Sequence, residues 1–265
     1  MSELCGSPHG IKVVLSLLTG GEKHLPPHAV ALLHPPERLV AVPKPAAEAA
    51  APSGAEDANE APPATASPPA TDAQVPQDEQ VLGASKKDAA TRRAELVGAG
   101  EGSFARALLA HCTENAGALL RRADGGKAVE EAACGHAGGA SLWQKEREQV
   151  CALHSAIAQA VAPVGAGEGD AKPLIEDLFA SRALRRMVLQ SADAQHEAAR
   201  CLAQTLWAEG LKGCCASTVE GHGGKVLAAL ADVAQGDVRA DVREQLRPCV
   251  EDVDEWCGKF RLATG

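Results

Sequence analysis

A shortage of sheet-forming side chains is the strongest constraint on this chain. Its 265 residues include no tyrosine, three isoleucines, three phenylalanines and three tryptophans. Much of its 45% hydrophobic content is alanine, and leucine is the commonest of the larger apolar residues. Sheets draw on β-branched and aromatic residues, whereas alanine and leucine lead the helix scale, so an all-α fold is expected. Six aromatic rings are also too few for a fold that stacks successive bases on aromatic platforms. No run of eighteen apolar residues occurs, so no membrane span is expected.

Charge is distributed unevenly. The net charge is −9, yet residues 46–80 hold seven acidic side chains and no Lys or Arg. The remainder is near neutral, and a near-neutral body can carry a basic face, because binding follows the arrangement of charge more than its sum. The nine cysteines include the adjacent pair Cys214 and Cys215 but no CxxC, and no secretory leader precedes them. A reduced cytosolic or nuclear setting is the expectation.

Eight of the 38 residues from 43 to 80 are proline, and most of the others are Ala, Glu, Asp, Ser or Thr. Such a stretch lacks the apolar bulk to offset its ordering entropy, so 43–80 reads as a disordered acidic linker between 1–42 and a helical-repeat region, 81–265. Helices are expected over 9–19 and 29–33, then over 85–97 with Ser85 as N-cap. Beyond residue 102, short amphipathic helices follow one another, the best formed placing Val150, Leu153, His154, Ile157 and Val161 on one face. Each is too short to be stable alone, so stacking must supply the stability.

A weak internal repeat points the same way. A small-residue turn, a basic residue and an apolar helix face recur in HGIKVVLSLL from His9, DGGKAVEEAA from Asp124 and HGGKVLAALA from His222. ASRALRRMVL from Ala180 is a looser copy in which Arg182, Arg185 and Arg186 take the basic role. The last two copies lie about forty residues apart, within the range of helical-repeat architectures.

Three segments carry a resemblance to a known family: SPHGIKVVLSLLTGGEKHLPPHAVALL (residues 7–33), SKKDAATRRAEL (residues 85–96), and the tail containing ASRALRRMVL and EGHGGKVLAAL. They are similar to the Pumilio-like family in its Puf-A or Penguin branch, whose chains end in a CPL region of degenerate Puf-type helical repeats. The resemblance implies an armadillo- or Puf-like solenoid of stacked helix pairs, with 1–42 as a partial Puf-type repeat and 81–265 as a CPL-like domain. Upstream repeats of the family pattern are missing, so the chain reads as a C-terminal fragment with an exposed apolar flank. Arg185 stands where the pattern has an apolar residue. The resemblance further implies a nucleolar or nuclear protein of ribosome biogenesis, concerned with large-subunit precursor RNA or with mRNA in translational regulation, and with assembly factors as partners.

A sequence-reading Puf repeat presents two or three side chains to a base. The corresponding positions here are Ile11, Lys12 and Leu15; Gly126, Lys127 and Glu130; and Gly224, Lys225 and Ala228. Ile, Leu, Gly and Ala offer a base edge no hydrogen bond, so direct readout is not expected. What persists is a lysine. Cations at equivalent points of successive repeats can follow a phosphate backbone, which makes Lys12, Lys127, Arg182, Arg185 and Lys225 the candidate RNA contacts, with Lys86, Lys87, Arg92 and Arg93 as a second patch. The alternative is a protein-interaction scaffold that does not touch RNA.

Other chemistry is weakly supported. Cys134, His136, Cys151 and His154 match no common zinc spacing, so no metal and no cofactor is expected. GxGxxG, GxxxxGK[ST] and HExxH are absent, and neither an enzymatic activity nor a small-molecule substrate is expected.

Overall fold

The computed structural model describes residues 1–21, 24, 89–135, 142–162, 172–193 and 195–261. The expected linker 43–80, the helix 29–33 and Ser85 lie outside these residues. The described residues belong to one unit, built from 1–27 and 87–265. It is an all-α helical-repeat solenoid, with no strand among the described residues.

The elements are α1 (Ser2–Gly6), α2 (Pro8–Thr19), α3 (Ala89–Val97), α4 (Phe104–Glu114), α5 (Ala116–Leu120), α6 (Ala123–Cys134), α7 (Leu142–Lys145) and α8 (Arg147–Val161). After a 3₁₀ turn (Leu174–Glu176) come α9 (Leu178–Gln190), α10 (Glu197–Thr205), a π-helical extension (Leu206–Leu211), α11 (Cys215–Thr218), α12 (Gly224–Val233), α13 (Asp237–Leu246) and α14 (Val253–Arg261).

The four copies found in the sequence are α2, α6, α9 and α12, and they pack on one another in that order, with α14 closing the row. Each is preceded by a short element of three to five residues: α1, α5, the 3₁₀ turn and α11. The repeat is therefore a long helix, a short connector and a second long helix, rather than a simple pair. The long partners, α4, α8 and α10 with its π extension, form the second row.

The connectors explain the small residues in the repeated motif. A side chain at Gly10, Gly125 or Gly224 would run into the backbone carbonyl of Leu4, Leu119 or Val219, each in or just after the connector ahead of the helix. Glycine lets each row helix start against its own connector. Alanine does similar work between row helices: Ala183 packs closely on Gly126 of α6, and Ala180, Ala183, Ala229 and Ala231 are all buried. The alanine excess is thus a packing requirement of closely spaced helices as well as a helix propensity.

Side-chain caps fix several helix starts. Ser7 accepts from the His9 and Gly10 amides, Ser103 from Arg106, and Asp177 from Phe179 and Ala180 at 2.9 and 3.0 Å. Glu176 acts across the repeat boundary, accepting from the backbone N–H groups of His222 and Gly223 at 2.7 and 3.2 Å, at the head of α12.

Two departures from the helix pattern have packing causes. The chain is interrupted between the 3₁₀ turn and α9 at Asp177, whose side chain caps α9. α10 starts at Glu197 and runs into the π segment, where Gly210 lies against the carbonyl of Ala158 on α8. Arg185, placed where the family pattern is apolar, is accommodated: it is half-buried and donates to the Phe260 carbonyl at 2.9 Å, tying α9 to α14.

Candidate nucleic-acid interface

The row of repeated helices places one cation near the start of each. Lys12 on α2, Lys127 on α6 and Arg182 on α9 are exposed, and Lys225 on α12 is half-buried. Each sits in the first or second turn, where the helix register directs it away from the core. Around Lys127, for example, Gly126, Ala128 and Val129 are all buried. None of the four side chains forms an ion pair or hydrogen bond with another described residue. Adjacent helices stand roughly 9 Å apart, so the heads of four neighbours span about 27 Å.

Several acidic groups beside this row are already engaged. Glu176 and Asp177 cap α12 and α9. Burial pushes the Asp124 carboxyl up, but hydrogen bonds from Arg122 and the Gly125 N–H outweigh it and hold the group below its ordinary range. Glu130 is taken by Arg186 at 2.8 Å and Gln190 at 3.1 Å.

The cations converge most closely along α9. A cleft of about 380 Å³ is lined by Arg182, Arg185, Arg186, His222 and Lys225, with Leu178, Leu189 and Phe260 as its apolar walls. Two of these side chains are not among the contacts that the sequence pattern selects. Arg186 lies one turn beyond Arg182, and its charge is shared with Glu130. His222 occupies the same place in its copy as His9 does in the first.

The second patch is less concentrated. Arg92 on α3 is exposed, whereas the half-buried Arg93 lays its guanidinium against Gly20 at the C-cap of α2. Lys86 and Lys87 lie outside the described residues.

The register also bears on base readout. Ile11, Leu15, Gly126, Gly224 and Ala228 are buried in the core, and Glu130 is paired with Arg186, so these positions present no free hydrogen-bonding group to a base edge.

Cysteine and histidine serve packing. None of the nine cysteines is in a disulfide, and burial pushes the Cys112 thiol up to about 12. His154 is fully buried, stacks on Trp143 at 5.9 Å and donates from Nε2 to the Ala133 carbonyl at 3.0 Å. His136 lies outside the described residues, and among the described residues no group of three or more His, Cys, Asp or Glu is arranged to hold a metal ion. Likewise, no described helix is long and apolar enough to cross a membrane.

The fold and these residues define a helical-repeat protein with a cation near the head of each repeated helix. The CPL (NUC119) domain matches residues 70–199. Pumilio homolog 24 of Arabidopsis thaliana is 30% identical over 169 residues, covering 63% of this chain and 25% of that protein. Both matches liken the chain to the Pumilio-like family. It spans about a quarter of the length of that relative. No solved structure matches it.

Proposed function

We propose that this chain binds RNA through the phosphate backbone, with weak or no sequence selectivity. One observation carries the reading: Lys12, Lys127, Arg182 and Lys225 recur at the heads of successive row helices with no acidic partner among the described residues, while the base-reading positions beside them are buried or, at Glu130, paired with Arg186. Each cation that neutralises a phosphate releases counterions, so affinity comes from their number and spacing and depends steeply on salt. Arg182, Arg185 and Lys225 contribute together at the cleft along α9.

Similarity to the CPL domain and to a Pumilio homolog supports RNA as the polyanion. On the same ground we extend the reading to a nucleolar role in large-subunit ribosome biogenesis, with precursor ribosomal RNA as ligand, and to translational regulation through mRNA. Imaging of the tagged chain tests the location, and crosslinking followed by RNA sequencing tests the ligand.

Filter-binding titration of single-stranded and structured RNA tests the binding itself. Four engaged phosphates predict a loss of roughly fifty-fold in affinity between about 50 and about 200 mM salt. Scrambling the RNA sequence should change affinity by less than about threefold, because no base edge is read. Absence of salt-sensitive retention would contradict the proposal.

A further inference from the structure

A second site lies on different elements from the cation row. Between α7, α8, α10 and the α12–α13 connection is a groove of about 700 Å³. Trp143 forms part of its wall, and the Arg147 guanidinium lies over that ring at 4.7 Å while pairing with Glu197 at 2.8 Å. Arg200 is different. Its Nε is buried with no hydrogen-bond partner, and a long 3.5 Å bond from Nη1 to Gln235 is weak compensation. A half-buried guanidinium with donors left over is costly in isolation and is satisfied by a planar oxyanion that accepts two of its N–H groups.

The groove's other groups select the kind of anion. Glu197 and Asp237 stand at its rim. Each would repel a phosphate chain, whereas a peptide can place one carboxylate on Arg200 and turn neutral or basic groups toward those acids. Exposed Gln204 offers an amide of both polarities, suited to an extended peptide backbone. We infer that this groove docks an extended acidic segment of a protein partner, one carboxylate seated on Arg200. The site is separate from the RNA-binding edge and stands or falls without it.

The probe is a library of random dodecapeptides displayed on phage and panned against the full chain. Recovered peptides should be enriched in Asp and Glu, and their synthetic forms should bind Arg200→Gln about tenfold or more weakly. Arg200→Lys, which keeps the charge but loses the planar fork, should fall between the two. Thermal melts of both variants show whether they are folded, and the affinity of the Lys variant decides the matter should the Gln variant not fold. The same peptides should bind the Lys12→Glu, Lys127→Glu, Lys225→Glu triple variant unchanged. Peptides without acidic enrichment, undiminished binding to both Arg200 variants, or displacement of the peptides by a single-stranded RNA would each overturn the inference.

Discussion

The two rows of helices treat charge in opposite ways. In the second row and its flanks, several cations are bound to carboxylates, Arg106 to Glu146, Arg147 to Glu197, Lys212 to Asp241 and Arg243 to Asp254, with Arg200 an exception. In the repeated row, the cations that head α2, α6, α9 and α12 have no such partner among the described residues, although Arg186 does. Exposed ion pairs stabilise little, so this difference is not chiefly about stability. It separates charges that fasten one element to another from charges that are left available, and a net charge of −9 conceals the distinction.

The sharpest break of the fastening set is at Glu146. Its carboxylate is 2% exposed and accepts from Arg106 and from the Gly100 N–H, holding the α3–α4 connection to the start of α8. Glu146→Ala should lower stability by about 2–3 kcal/mol through the hydrogen bonds lost to the Gly100 N–H and to the partly exposed Arg106, read as a fall in the urea midpoint. RNA affinity of the folded fraction should be unaffected.

A pH titration of stability sharpens the same contrast in the core. Burial holds the His154 imidazolium down at about 4, against the small opposing effect of its bond to the Ala133 carbonyl. The folded state therefore favours the neutral ring. Its contribution is complete above the unfolded value near 6.5 and is lost as pH falls from there toward 4, amounting to on the order of 3 kcal/mol. Urea midpoints measured from about pH 7 to about pH 4 should decline, and His154→Gln should flatten the decline. A smaller effect is expected at Gly125. Changing it to Ala drives a methyl group into the Leu119 carbonyl and should cost roughly 2 kcal/mol, seen as a lower melting temperature.

Much of the fold can be read from the chain because its cause is local. The absence of β-formers and the helical spacing of Val150, Leu153, Ile157 and Val161 are properties of short windows. The four copies aligned in the sequence form one physical row, since each motif encodes the same event, a helix beginning against its own connector. The connectors themselves are hidden in the sequence, being three to five residues long. So is the π segment, which depends on Ala158 meeting Gly210 across a long stretch of chain. Glu146 looks like one more acidic residue near a helix start until the fold buries it. The Arg200 groove draws on elements spread from Trp143 to Val238, a juxtaposition that no window of sequence contains.

The row of available cations is tested most directly by comparing the salt dependence of RNA binding in the native chain and in the Lys12→Glu, Lys127→Glu, Lys225→Glu variant. Removing three phosphate contacts should reduce the slope of log K against log salt by about two units, with the urea midpoint unchanged. An equal slope and equal affinity in a folded triple variant would contradict the account.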